Sequence, residues 1–352
     1  MMEQAELLVS RHGRLGRIRL NRPKALNSLT LRMVRLFTQA LMDFGKDPQI
    51  VGVLVTGEGE RGLCAGGDIR ALYELRNGDK SYYKTFWREE YELNALIAAF
   101  RKPYVVLMDG LVMGGGVGIS AHGNHRIVTE RTRLAMPETG IGFIPDVGGT
   151  WLLSRAGGAG LYMALSGAAV SGSDAVSLGL ADILIESDGL TELVGRLLCV
   201  SDESEVSTAL ADLSRPPEKS VLMKERSALD NAAARHGVEE ILNEMEASAS
   251  AFLRAAAAEI RHKSPTSVKV THALLQRASR ARGLEECLLN EYRAACRLLE
   301  SHDLYEGIRA AVIDKDRAPK WAPATLDEVT DSMVRSILAG DGAPEPVFRG
   351  GS

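Results

Sequence analysis

Two segments of this 352-residue chain, IVGVLVTGEG (50–59) and PYVVLMDG (103–110), are short, largely β-branched, almost wholly apolar and closed by glycine. Runs of that length without polar alternation read as strands covered on both faces. Each leads through a glycine-rich stretch, GLCAGGDI (62–69) or MGGGVG (113–118), into a helical pattern. Strands buried on both sides and separated by helices constrain the chain to an α/β arrangement with parallel strands. The pattern opens with a hairpin (LLVS to LGRIRL), passes the loop NRPKALNSLT, and continues through short strands HRIVTE and RLAMPE, the helix TWLLSRAGG and the helix–strand unit SDAVSLGLADILIES.

The character changes near residue 200. SRPPEKS (214–220) is a breaker, and beyond it the segments 238–263, 266–281, 284–303 and 305–314 all carry helical spacing. The expected organisation is a strand-rich core over 1–200, a helical region over 201–340 and a flexible tail over 341–352.

A hydrophobic fraction of 45% and a net charge of -4 describe a globular chain without the basic balance of a nucleic-acid binder. No run reaches the 18 or so apolar residues of a membrane span, and the N-terminus has no long apolar run. A cytoplasmic protein without nucleic-acid or membrane partners is expected. The four cysteines form no CxxC pair, and no HExxH or Cys/His cluster is present, so neither disulfides nor a metal site is expected.

The glycine loops suggest the chemistry. Backbone N–H groups at a helix start lack intrahelical partners, and glycine lets a ligand approach them. Two such loops meeting would aim two donors at one oxygen, an arrangement suited to carbonyl chemistry. A third stretch, MPETGIGFIPDVGG (136–149), sets Glu138 and Asp146 among apolar residues, where burial raises carboxyl pKa values and a second acid drives the two apart. Gly116–Ala121 also satisfies the GxGxxA dinucleotide pattern, but LVMG intervenes between strand and glycines, which weakens that reading. Cys64 lies beside a glycine loop, yet a free cysteine is more often a small core residue. No GxSxG elbow anchors a serine triad.

RPKALNSL, GLCAGGDI, MDGLVMGGGVGISAHG and MPETGIGFIPDVGG together resemble the enoyl-CoA hydratase/isomerase (crotonase) superfamily. With SPTSVKVT, EYR, HDLYEGIRAAVIDKDRAPKW and PATLDEV, they resemble its thioester-hydrolase branch over nearly the whole chain. The resemblance implies a spiral of repeated ββα units with a helical C-terminal region, assembled as trimers or hexamers. It implies an acyl-CoA substrate, with no cofactor beyond the coenzyme A that the substrate carries. It places the two carbonyl-polarising amides on Gly67 and Gly115, and Ala25, Ala65 and Ile69 along the CoA path. Arg70 falls near the CoA phosphates, or is a solvated helix arginine. Hydratases of the superfamily use two glutamates: the second matches Glu138, and the first falls on Gly118. Asp146 stands where hydratases have no acid. Glu90 matches a substrate contact of the hydrolase branch, or is a solvated acid beside Arg88, Glu89 and Glu92. The activity implied is hydrolysis of a short, branched 3-hydroxyacyl-CoA in valine breakdown, with Glu138 as base or nucleophile and Asp146 orienting water or substrate. Its rivals are a hydratase or isomerase working through Glu138 alone, and a silent CoA-binding or assembly subunit.

Overall fold

The structure, a computed structural model, describes residues 5–348. Among these residues ten strands form two sheets. They are β1 (Leu7–His12), β2 (Leu15–Leu20), β3 (Gly52–Gly57), β4 (Gly62–Cys64), β5 (Tyr104–Met108), β6 (Leu111–Met113), β7 (His125–Val128), β8 (Arg133–Ala135), β9 (Val170–Ser171) and β10 (Ile183–Leu184). The larger sheet has the order β1-β2-β3-β5-β7-β10, the smaller β4-β6-β8-β9. The β1–β2 hairpin is antiparallel; β2, β3, β5, β7 and β10 then run parallel.

The spiral is visible in that order. Three successive turns of chain each lay a longer strand on the large sheet and a three-residue strand on the small one: β3 then β4, β5 then β6, β7 then β8. Sequence patterning takes GLC into a glycine turn and assigns LVM to no element, because three residues carry no legible period. The corners between long and short strands press together. A Cβ on Gly62 (φ +151°) would lie 2.3 Å from the Leu111 nitrogen, and one on Gly110 (φ +69°) 2.8 Å from the Arg61 oxygen. Only glycine fits both the torsion and the space.

The helices that frame the site are α1 (Leu31–Lys46), α2 (Ile69–Glu74), α3 (Ser81–Ala98), α4 (Gly115–Gly118) and α5 (Gly149–Arg155). Thr30 caps α1 and Asp68 caps α2, each accepting a backbone N–H from three residues on. Alternation along β3 explains its unbroken apolar run. Val53 and Val55 face the main core, while Leu54 joins a second cluster with Val105, Leu107 and Ile127. Leu193, Leu197, Val206 and Leu210, from helices Leu190–Leu197 and Glu203–Leu213, cover that second face.

The main core runs without interruption from Leu7 to Leu338. The C-terminal helices therefore pack on the spiral; helix Leu284–Leu298 lies against α3 and α5. The chain expected to trail as a flexible tail is in contact with the body up to Phe348. Asp341 pairs with Lys84 at 2.5 Å, Glu345 pairs with Arg293 at 2.6 Å, and Phe348 packs on the core. The first four residues and residues 349–352, parts of the N-terminal and tail expectations, lie outside the described residues. Among the described residues no helix is long and apolar enough to cross a membrane.

Candidate active site

The glycine loops converge. Leu29 donates its N–H to the Gly66 oxygen at 2.8 Å, fixing the first loop beside α1. A Cβ on Gly66 would lie 3.6 Å from the Gly115 nitrogen, which puts the second loop in contact with the first. Gly114 takes φ +49°, ψ -120°, a turn closed to other residues, and leaves Gly115 as the first residue of α4. Among the described residues, nothing accepts the N–H of Gly67 or Gly115. Gly116 serves packing instead: its Cβ would lie 2.3 Å from the Cys64 oxygen, so the dinucleotide-like pattern is a strand contact.

Both loops open on one cavity of about 350 Å³. Its wall includes Gly67, Gly115, Glu90, Glu138, Asp146, Ala65 and Ile69, seven of the nine residues singled out from the sequence. Ala25 and Arg70 lie outside that wall. Ala25 is exposed on the turn Pro23–Ala25, one residue from Leu26, whose carbonyl accepts the Ala65 N–H at 3.0 Å. Arg70 is exposed and donates to the Val312 oxygen at 3.2 Å. Trp87 stacked on Phe143 (5.1 Å, 22°), with Phe86, Leu72 and Ile141, makes the rest largely apolar. Lys263, from the C-terminal region, is the only basic side chain on the wall among the described residues, and helical patterning gave no sign of it.

The helix α3 separates its acids. Glu89 turns outward to Arg35 at 2.7 Å, whereas Glu90, on the face of Phe86, Trp87 and Leu93, is 2% exposed. The solvated-acid alternative for Glu90 is thereby removed. Its Oε1 has no partner and lies 2.6 Å from where a Gly115 Cβ would stand. Glu138 begins the 3₁₀ turn Glu138–Ile141, is 7% exposed, and leaves Oε2 unpartnered. Orphaned buried carboxylate oxygens are rare and mark a group kept for a ligand or reaction. Asp146 differs: its Oδ2 accepts the Tyr91 hydroxyl at 2.7 Å.

Burial pushes all three carboxyls up. Asp146 rises to about 7, opposed by the Tyr91 hydroxyl. Glu138 and Glu90 are also raised well above the usual carboxyl range, by burial first and then by the charge on Asp146. Cys64 is pushed up to about 12 by burial, which removes it as a thiolate nucleophile.

A raised carboxyl pKa lowers stability as pH climbs. Below about 4 both folded and unfolded chains hold the Asp146 proton; between there and about 7 only the folded chain does, so unfolding releases it. Asp146→Asn should therefore leave Tm nearly unchanged at pH 4 and raise it at pH 8, by about 2–4 °C per kcal/mol relieved. A gain confined to acid pH, measured by thermal unfolding, would contradict this assignment.

A buried array of carboxylates beside two free amides, on a spiral of ββα turns, is the frame of an enzyme acting on an acyl thioester. The chain belongs to the enoyl-CoA hydratase/isomerase family, whose model matches residues 15–338. Among curated relatives it is 40% identical to "3-hydroxyisobutyryl-CoA hydrolase, mitochondrial" of Rattus norvegicus, over 98% of this chain and 92% of that protein. It is 38% identical to the protein of that name from Homo sapiens, over 97% and 91%. Two solved structures share the fold closely. A carnitinyl-CoA dehydratase from Mycobacterium thermoresistibile has 44% identity and a TM-score of 0.93, covering 99% of this chain and 100% of its own. An enoyl-CoA hydratase from Rhodobacter sphaeroides 2.4.1 has 38% identity and a TM-score of 0.89, covering 96% and 98%.

Proposed function

We propose that this protein hydrolyses (S)-3-hydroxyisobutyryl-CoA to 3-hydroxyisobutyrate and coenzyme A; curated relatives carry the name 3-hydroxyisobutyryl-CoA hydrolase. The single observation that carries the reading is the place of Gly118. The position where hydratases of the superfamily hold their first glutamate has no side chain, and the space beside it is filled by Val147 and Asn94. The two-carboxylate hydration route is closed at that point.

In this scheme the thioester oxygen sits between the amides of Gly67 and Gly115, which take up its developing charge. Water adds to the carbonyl carbon as Glu138 removes its proton, and the C–S bond breaks as the thiolate takes a proton from Asp146. Alternatively Glu138 attacks the carbon itself, forming a mixed anhydride that water then cleaves. Both routes use the same form of the pair: one proton, on Asp146, and one charge, on Glu138. The unpartnered Oε1 of Glu90 accepts the substrate hydroxyl. Ala65 and Ile69, with neighbouring Ala25 and Arg70, border the entry of the CoA chain. No separate cofactor takes part.

The pair must carry one charge. Activity should therefore rise with pH through about 7, where the first proton leaves, and fall once the second is lost, giving a bell-shaped kcat profile. Thiol release from a panel of acyl-CoA esters tests the reading. Release from 3-hydroxyisobutyryl-CoA above other esters supports it. Hydration of crotonyl-CoA without thiol release, or saturable CoA binding without turnover, overturns it.

The reaction would belong to valine breakdown. The relatives' names place those proteins in mitochondria. For this chain we keep the cytosolic placement as a proposal, supported by four free cysteines, which fit a reducing compartment, and tested by cell fractionation.

A further inference from the structure

Asp146 stands on an unusual piece of backbone. The next residue, Val147, takes φ +52°, a region that β-branched side chains rarely enter, and Gly148 follows at φ +78°. Strained torsions persist where the surroundings over-determine them. Here the surroundings are two side chains outside the cavity wall, one on each side of the same peptide group.

The Val147 carbonyl accepts from His122 Nε2 at 2.7 Å. A carbonyl can only accept, so Nε2 carries the proton; burial lowers the His122 pKa to about 4 and keeps the ring neutral. On the other side the Gly148 N–H donates to Glu291 Oε2 at 2.7 Å. Glu291 Oε1 accepts the Thr150 N–H at 2.9 Å and the Thr150 hydroxyl as well. Glu291 is wholly buried, on helix Leu284–Leu298, more than 140 residues further along the chain. A fully buried acid is costly unless its oxygens are satisfied. All three donors to this one belong to the segment that begins at Asp146. Tyr292, the next residue, meets Tyr91 edge-on at 6.1 Å, and Tyr91 is the donor to Asp146. Helix Leu284–Leu298 thus reaches both ends of the Asp146 arrangement from outside the cavity wall.

We propose that Glu291 and His122 are positioning residues, gripping the Val147–Gly148 peptide from its two sides and so fixing the direction of the Asp146 carboxylate in the cavity. The inference rests on the hydrolase reading above, in which Asp146 supplies the proton to the leaving thiolate. Glu291→Gln keeps the shape but turns an N–H donor towards the Gly148 or Thr150 N–H. His122→Phe keeps a ring and removes the donor to Val147. Each change frees the peptide to turn, and Asp146 turns with it. Small misplacements of a reacting group lower rates by up to about 100-fold.

The test is a double-mutant cycle on kcat and KM for thiol release, run beside the wild type on the same esters. Each single substitution should lower kcat by about 10- to 100-fold with KM within about 2-fold, because the binding wall is untouched. In an Asp146→Asn background the same substitution should lower kcat by less than about 2-fold more, since its target is already gone. Losses that multiply in that background, or losses that appear mainly in KM, overturn the proposal. Should Glu291→Gln lack a cooperative thermal transition, His122→Phe carries the cycle alone. A wild type that releases no thiol from any ester fails the hydrolase reading, a result separate from additive losses in an active enzyme.

Discussion

Glu138→Gln is expected to lower kcat for thiol release by about 10²–10⁴-fold, with KM little changed. The amide has the size of the acid and keeps the backbone bond by which Phe143 donates to the residue 138 carbonyl at 2.9 Å. What it loses is the basic oxygen. Glu138 Oε2 has no partner in the folded chain, so its replacement breaks no existing contact there. The loss of rate is then chemical rather than structural. The protein should also become more stable above neutral pH, because burial and the charge on Asp146 both oppose ionisation of Glu138. A slower yet more heat-stable variant is a signature that simple misfolding does not produce. Single-turnover hydrolysis in ¹⁸O-water separates the two routes. Label in the first product molecule marks direct attack by water, and label in Glu138 marks the anhydride. Should Glu138→Gln keep kcat within about 3-fold while Asp146→Asn loses it, the base is Asp146, and Glu138 takes no part in the proton transfers.

The parts of this site that were legible in the sequence are those carried by short, local patterns. Gly67 and Gly115 are visible because a strand, a glycine turn and a helix start follow one another in the chain. Glu138 and Asp146 are visible because they are acids in an apolar segment of fourteen residues. Glu90 needed the family resemblance, since its helix carries Arg88, Glu89 and Glu92 beside it. The residues that escaped are those whose role exists only across the fold. His122 is 25 residues from its partner and Glu291 143 from one of its own, and no period or motif joins them. Tyr91 reads as an ordinary helix aromatic until its hydroxyl is seen on Asp146. RLAMPE reads as a strand and is β8, but the other three strands of the second sheet escaped for a different reason. Strands of two or three residues are defined by their neighbours, because so few residues show no alternation.

Gly118→Glu is expected to destroy hydrolysis without creating hydration, although it supplies the acid that hydratases of this family carry. A Cβ at residue 118 would lie 2.7 Å from Val147 Cβ and 2.8 Å from Asn94 Nδ2. Neither neighbour can give way easily. Val147 is held by the grip on its peptide, and Asn94 is fully buried, its amide atoms already without partners. Overpacking of this kind costs about 1–3 kcal/mol, and a buried charge near three other acids costs more. The strain falls on Val147 and passes to Asp146, so thiol release should drop by at least about 100-fold, with a lower Tm and no gain in crotonyl-CoA hydration. Adding Val147→Gly tests the spatial argument. Glycine accepts φ +52° without strain and removes the nearer obstacle, so the double variant should recover part of the lost Tm. It should still not hydrate, because Asn94 Nδ2 remains 2.8 Å from where a Cβ at residue 118 stands. A single Gly118→Glu protein that folds like the wild type and hydrates crotonyl-CoA would show that the missing glutamate alone separates the two activities. The packing of Val147 and Asn94 around position 118 implies instead that the hydrolase site has been rebuilt in three dimensions, with the glycine as its visible trace.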